Sequence, residues 1–357
     1  MSNSCFIIAE AGVNHNGEME TAFELAQAAL DAGADAVKYQ LFIPEALVLD
    51  GTPTADYQQR NTGQQSQLQL LQRLALHSEQ HAQVKQYCEH IGIQYMCSPF
   101  DNNSADYLCN VLQLDTIKIG SGELSNGPML LQIAQSGKNT VLSTGMSTVA
   151  DIRCALNILA HGYSRPKSEN PLPYTQLLAT PPDLSILRNK VVLLHCTTEY
   201  PCPETSVNLL AMRDLAQQFE LPVGLSDHSE GILASTSAVS LGACVIEKHF
   251  TLDKNQNGPD HCASLNPAEF SALVKGIRSV ERMLGNGVKQ PDPVELQNKK
   301  VVRKHIVAAC DIKQGELFTE HNLTCKRTPS GISPFSFWEL LGKPAGKDYA
   351  INEEIRF

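Results

Sequence analysis

Residues 5–42 read CFIIAEAGVNHNGEMETAFELAQAALDAGADAVKYQLF. Residues 5–12 are short and almost continuously apolar, as a strand covered on both faces must be. Residues 20–34 carry a helical pattern that stops at Gly33, where a left-handed turn is cheap. Residues 36–42, AVKYQLF, give a second apolar strand. Short, continuously apolar strands of this kind imply a parallel sheet covered on both faces.

Working outward, the same unit recurs. Strand-like runs follow at 93–98 (IQYMCS), 116–121 (TIKIGS), 140–145 (TVLSTG), 191–196 (VVLLHC), 222–226 (PVGLS) and 244–250 (CVIEKHF). Helical patterns separate them, and one closes the series at 267–285. Eight strand–helix units in this length favour an α/β fold of the closed (β/α)8 TIM-barrel type over an open doubly wound sheet. No GxGxxG follows the first strand, which argues against a dinucleotide-binding sheet. Two stretches interrupt the pattern. The glutamine-rich residues after the second strand, with Gly51, Pro53 and Gly63, read as a long loop, and the proline-rich residues 164–189 read as a surface insertion.

The domain boundaries expected are a barrel over 1–285, a polar linker over 286–300 with Pro291 and Pro293, and a small, mostly β domain over 301–357. A domain so small buries a limited core and gains from docking on a larger body.

Composition narrows the function. A formal net charge of -10 disfavours nucleic acid and anionic membranes as partners. Eleven cysteines, an odd number with no CxxC spacing, read as reduced thiols in a cytoplasmic protein. No secretory signal and no membrane-spanning run is evident.

Barrel chemistry sits at the C-terminal ends of the strands. Those ends carry Glu10; Lys38 and Gln40; Ser98; Lys118, Ser121 and Glu123; Ser143 and Thr144; His195, Thr197, Thr198, Glu199 and Tyr200; Ser226, Asp227 and His228; and Glu247, Lys248 and His249. Two lysines among serine hydroxyls suit an oxyanion such as phosphate. The plainer alternative is that Lys38 and Lys118 form internal ion pairs. His228 and His249 end consecutive strands, so two imidazoles meet at one mouth, a donor set suited to a divalent metal with open positions. The plainer alternative is two ordinary polar-loop histidines. Glu123 and Glu10 could handle a proton or merely cap loops. His77, His81 and His161 read as surface residues.

In order along the barrel, AEAGVNHNG (9–17), DAVKYQ (35–40), IKIGSGE (117–123), LSTGM (142–146), HCTTEYP (195–201), GLSDH (224–228) and EKHFTLDK (247–254) resemble the sialic acid synthase family. The tail strings IVAACDIKQGE (306–316), HNLTCKR (321–327) and LLGK (340–343) resemble its antifreeze-like (SAF) domain. The resemblance implies condensation of phosphoenolpyruvate with an N-acylated mannosamine-type aldehyde, with loss of phosphate. It also implies a required divalent metal, most commonly Mn2+ with Mg2+ or Co2+ possible, and a domain-swapped homodimer in which each tail covers its partner's site. Carried over by motif, His228 and His249 look like metal ligands. Lys38, Ser98, Lys118, Ser121, Ser143 and Ser226 look like the phosphoenolpyruvate cradle. Glu123 looks like the acid between sugar and intermediate. Gln40, Tyr200 and Asp260 resemble sugar contacts, and Arg327 resembles an arginine reaching toward the sugar's acyl group.

Ser98 stands where relatives often have threonine, and TPSGIS follows CKR where a proline often comes directly. Residues 61–76 and HCTTEYP look closer to the legionaminic acid branch than to the N-acetylneuraminic branch, with pseudaminic acid third. The rival readings are a Schiff-base aldolase using Lys38, Lys118 or Lys248, a synthase of seven- or eight-carbon keto acid phosphates, and a non-catalytic carbohydrate-binding protein.

Overall fold

In the computed structural model, which describes residues 4–63, 65–165 and 170–356, the chain divides into two units, Met1–Gly285 and Asn286–Phe357. Eight parallel strands run through the first: β1 (Phe6–Gly12), β2 (Ala36–Leu41), β3 (Gln94–Pro99), β4 (Thr116–Ile119), β5 (Asn139–Ser143), β6 (Val191–His195), β7 (Val223–Asp227) and β8 (Val245–His249). They bond in the order β3-β2-β1-β8-β7-β6-β5-β4. The two ends of that ladder, β3 and β4, lie side by side, so the sheet rolls into a barrel with helices outside, as the repeated unit predicts.

Successive strand side chains point to opposite faces, and this alternation builds both core and mouth. Ile7, Ala9 and Ala11 of β1 face the helix layer, whereas Ile8 turns inward. Ile8, Ala36, Met96, Val141, Leu194 and Val245 pack together as an apolar floor inside the barrel. Two residues further along the same inward register stand Glu10, Lys38, Ser98, Ser143, Cys196 and Glu247, all buried. The interior is therefore dry at its floor and polar at its C-terminal mouth. The floor keeps water from the mouth's charges and so strengthens them.

The expected long loop after β2 instead holds three short helices, Pro44–Leu47, Asp56–Thr62 and Gln67–Leu74. The last is capped by the Ser66 hydroxyl, which accepts from Gln69 N–H. Its Leu70 and Leu74 bury against Val13 and Phe42. Tertiary packing makes these helices, since segments this short do not hold alone. The 164–189 stretch contains helices Tyr174–Ala179 and Leu184–Leu187, with residues 166–169 outside the described set. Leu177 and Leu187 are buried, and Asn157 Nδ2 donates to the carbonyls of Leu177 and Thr180 at 2.9 and 2.8 Å. The described part of the stretch is mostly exposed, as a surface insertion should be, and these contacts pin it to the helix Val149–Ser164.

His81, read as a surface residue, is fully buried. On helix Ser78–Ile91 it shares an inward stripe with Val84 and Cys88, a spacing that signals the core face. Its Nδ1 meets the Tyr95 hydroxyl at 2.7 Å, and burial pushes its pKa down to about 3. The folded chain therefore keeps His81 neutral where the unfolded chain protonates it. Below the usual value of about 6.5 the unfolded state binds the extra proton, so stability falls as pH drops from about 6.5 toward 3, by up to about 1.4 kcal/mol per pH unit. Urea unfolding from pH 7 to pH 5 should show this slope, and His81→Gln should reduce it by about one proton.

In the second unit, helix Pro293–Val302 occupies much of the stretch read as linker. Asp292 caps it, accepting from Val294 N–H at 2.9 Å, while Glu295 accepts from Asp292 N–H at 3.0 Å. That is the capping box of an exposed helix. Beyond it β9 (Lys304–Ala308) pairs antiparallel with β10 (Leu323–Arg327). Ile306, Ile312, Phe318, Leu323, Leu340, Tyr349 and Ile355 make its core. Among the described residues no helix is long and apolar enough to cross a membrane, and all eleven cysteines are unpaired.

Candidate active site

The mouth is organised around a chain of buried charges. Lys38 Nζ lies 2.6 Å from Glu10 Oε2, 3.6 Å from Glu247 Oε2 and 3.2 Å from Ser98 Oγ. Lys118 Nζ lies 3.3 Å from Glu247 Oε1, which also accepts from Ser226 Oγ at 2.8 Å. Gln40 Nε2 donates to Glu10 Oε1 at 3.0 Å. Burial opposes the ionisation of Glu247, yet Lys118, Lys38 and the Ser226 hydroxyl bring its pKa down to about 2. Burial raises Glu10, and Lys38 only partly offsets this. Burial likewise lowers Lys118. It also opposes the charge of Lys38, but there Glu10 and Glu247 prevail and hold the pKa up.

The internal ion pairing weighed for Lys38 and Lys118 is thus present. It accounts for the lysines but not for the hydroxyls beside them. Ser143 Oγ and Thr198 Oγ1 are buried without a hydrogen-bond partner. Ser121 Oγ accepts from Gly145 N–H at 3.0 Å and lies 3.0 Å from Cys196 Sγ. Gly145 closes this cradle: a Cβ there would come within 2.5 Å of Thr198 Oγ1 and 2.8 Å of both Cys196 Sγ and Ser121 Oγ. Buried hydroxyls without partners are costly. Beside two ammonium groups they are suited to donating to an oxyanion.

The imidazoles stand across the same mouth. His228 Nδ1 is 2.7 Å from the Thr197 carbonyl. A carbonyl only accepts, so the proton is on Nδ1 and the Nε2 lone pair is available. Burial lowers the His228 pKa to about 4 and takes His249 well below its usual value. The two rings are 5.6 Å apart, and the Tyr200 ring lies 4.2 Å from His228 and 5.4 Å from His249. His249 Nδ1 is buried with no hydrogen-bond partner. Asp260 Oδ2 is 3.9 Å from it, and burial, with the Glu10 charge, raises Asp260 to about 7. Among the described residues no three His, Cys, Asp or Glu side chains form a preassembled metal cage. Two neutral imidazoles, one with a directed lone pair and one with an unpartnered nitrogen, nevertheless fit a metal whose other positions stay open.

The mouth therefore brings together Glu10, Lys38, Gln40, Ser98, Lys118, Ser121, Ser143, Tyr200, Ser226, His228, His249 and Asp260. Glu123 sits half-buried on the turn after β4, where its Oε2 accepts from Asn126 Nδ2 at 2.8 Å, and burial raises its pKa. Arg327 lies in the other unit, exposed on β10 opposite Lys304. Lys248 and Asp227, both at strand ends, face away from the mouth. They pair with each other at 3.0 Å in the helix layer, which leaves Lys248 unsuited to a Schiff base at this mouth. Glu247 was among the strand-end polar residues without an assigned role. Its inward register, shared with Val245 and His249, was the signal that could have assigned one.

The barrel and this mouth make a site suited to holding an oxyanion beside a metal or carbonyl group. The chain belongs to the NeuB family, whose model matches residues 25–289. It is 44% identical over 351 residues to an N,N'-diacetyllegionaminic acid synthase of Campylobacter jejuni, covering 98% of each chain. It is 40% identical to the synthase of the same name from Legionella pneumophila, covering 96% of this chain and 90% of that one. A solved N-acetylneuraminic acid synthetase from Leptospira borgpetersenii, in complex with citrate, shares the fold with a TM-score of 0.67 and 28% identity. It covers 83% of this chain and 90% of that chain.

Proposed function

We propose that this protein condenses phosphoenolpyruvate with 2,4-diacetamido-2,4,6-trideoxymannose to give N,N'-diacetyllegionaminate and phosphate. The observation that carries this is one mouth joining an anion cradle to a pair of neutral imidazoles, in a chain so close to two synthases of that name. In this reading Lys38, Lys118, Ser98, Ser121, Ser143 and Ser226 bind the phosphate and carboxylate of phosphoenolpyruvate. Gln40, Tyr200 and Asp260 orient the sugar, and Glu123 lies toward its reacting end. His228 and His249 would hold a divalent metal, Mn2+ first among Mg2+ and Co2+, which supplies Lewis-acid polarisation of the aldehyde oxygen.

C3 of phosphoenolpyruvate bonds to the aldehyde carbon and leaves positive charge at C2. The aldehyde oxygen takes up a proton and becomes a hydroxyl. Water adds at C2 and loses one proton, leaving a C2 hydroxyl. That hydroxyl then gives its proton to the departing phosphate as C2=O forms and the C2–O bond to phosphate breaks, its electron pair leaving on phosphate. Glu247 and Glu10 face this region as carboxylates that can stabilise the cationic centre, and Glu10, with its raised pKa, is the better placed to accept the water's proton. The bridging oxygen thus leaves with phosphate. With bridging oxygen-18, all label is expected in phosphate. Label retained in the keto acid, or a borohydride-trapped pyruvyl lysine, would contradict the mechanism.

The cradle makes its own prediction. Gly145→Ala forces a methyl against three donor atoms, so kcat/KM for phosphoenolpyruvate should fall at least about tenfold, mainly through KM. Steady-state kinetics at saturating sugar read this directly. The proposal extends to Arg327 reaching a partner's sugar site in a homodimer, and to a cytoplasmic location.

A further inference from the structure

Asp227 and Lys248 each precede one of the two imidazoles in the chain. They are register partners across β7 and β8, and theirs is the last pair of that ladder. His249 stays within the sheet, opposite Glu10 of β1, and its carbonyl accepts from Leu265 N–H at 2.8 Å. His228 lies one residue beyond the end of β7. Past that end, side chains take over from the ladder. Asp227 Oδ1 accepts from Ser229 N–H at 2.8 Å and from Ser229 Oγ at 2.6 Å. Asp227 Oδ2 accepts from Ser235 Oγ at 2.5 Å and lies 3.0 Å from Lys248 Nζ. Lys248 Nζ also donates to the Ser229 carbonyl. Asp227, Ser229, Ser235 and Lys248 are all buried. The residues on either side of His228 are thus both gripped by the side chain that adjoins His249.

We propose that Asp227 and Lys248 are positioning residues: their buried ion pair sets the separation and facing of His228 and His249, and so tunes metal affinity from behind the mouth. The inference rests on the reading of the two imidazoles as metal ligands and deepens it. Stability alone does not call for an ion pair in the helix layer. Two charges taken out of water gain little over well-packed apolar residues of similar volume. What the pair supplies is direction. The ammonium holds a carbonyl and the carboxylate holds an N–H and two hydroxyls, and such charge-assisted bonds fix the backbone turn around His228 in one arrangement. The other holds on His228 run elsewhere. Its Nδ1 lies 2.7 Å from the Thr197 carbonyl, and its own carbonyl accepts from Cys202 N–H at 2.8 Å, both in the segment after β6. The Asp227–Lys248 network instead ties that turn to the strand that carries His249. The ring centroids it helps to place are 5.6 Å apart. Groups that orient metal ligands without touching the metal change its affinity by about 10–100-fold when removed.

The test is Mn2+ binding followed by electron paramagnetic resonance, without substrates, in the full chain and in Asp227→Asn, Lys248→Met and the double variant. Asp227→Asn keeps the shape and an acceptor oxygen, and the double variant leaves neither charge uncompensated. At least one variant should therefore fold, which circular dichroism and thermal melting will verify. Lys248→Met and the double variant are expected to bind Mn2+ about tenfold more weakly, and Asp227→Asn about threefold, with the KM for phosphoenolpyruvate at saturating Mn2+ within about twofold of wild type. A pair that only braces the fold would lower the melting temperature and leave the Mn2+ affinity of the folded protein alone. Folded variants that bind Mn2+ within about twofold of wild type overturn the proposal, and so does failure of all three to fold, which would make the pair a structural requirement. If His228→Ala and His249→Ala bind Mn2+ as the wild type does, the reading of the imidazoles fails, and this inference with it.

Discussion

Replacing His249 with alanine is expected to lower kcat by about 10²–10³-fold, the scale on which electrostatic stabilisation of a developing oxyanion acts. The argument starts from burial. An imidazole in this position, with its Nδ1 unpartnered and its pKa held well below normal, is neutral and has a nitrogen available to a ligand. Ending β8 in register with Glu10, it is held by the barrel and not by a loop. His228→Ala should behave alike, and the double variant should lose little more, because the two rings act as one unit. Titration of Mn2+ followed by electron paramagnetic resonance should show both single variants binding the ion at least tenfold more weakly. Full activity in either variant would remove the imidazole pair from the reaction.

Glu247→Ala carries the second large effect, and on stability as well as rate. The carboxylate bridges Lys38 and Lys118 and accepts the Ser226 hydroxyl. Without it Lys118 keeps its burial and loses its nearest carboxylate, while Lys38 retains only Glu10. Removing one partner of a buried pair costs about 3–5 kcal/mol, since an uncompensated charge stays behind. Urea unfolding should show that loss. Phosphoenolpyruvate should partly restore it, because its anionic groups give the lysines a new partner. Glu247→Gln keeps the shape and the acceptor oxygen but not the charge, so it should recover part of the stability without recovering the rate.

The barrel was legible in the sequence because its evidence is local: short apolar strands, helical patterns and turn residues recur in order. Strand ends were legible as a polar ring for the same reason. Which polar residues face inward was less so, because adjacent positions on a strand go to opposite faces. Lys248 and Glu247 are neighbours in sequence, yet one pairs with Asp227 under the helices and the other joins the mouth. Period-two reasoning anchored on His249 separates them. The helices after β2 were missed because they are short and set between Gly51, Pro53 and Gly63, and Leu70 and Leu74 find their burial only against Val13 and Phe42. His81 was missed as a lone histidine. Its stripe with Val84 and Cys88 was present, but a titratable residue is a poor marker of a core. Thr198 and Gly145 take their meaning from atoms that arrive from different strands, as the meeting of Gly145 with Ser121 and Cys196 shows.

The most direct test of the account is phosphate release from phosphoenolpyruvate with Mn2+, run with 2,4-diacetamido-2,4,6-trideoxymannose and with N-acetylmannosamine, each with and without a chelator. The account predicts turnover that the chelator abolishes and that strongly favours the diacetamido sugar, with N,N'-diacetyllegionaminate formed one-to-one with phosphate. Chelator-resistant turnover, or preference for N-acetylmannosamine, would contradict it.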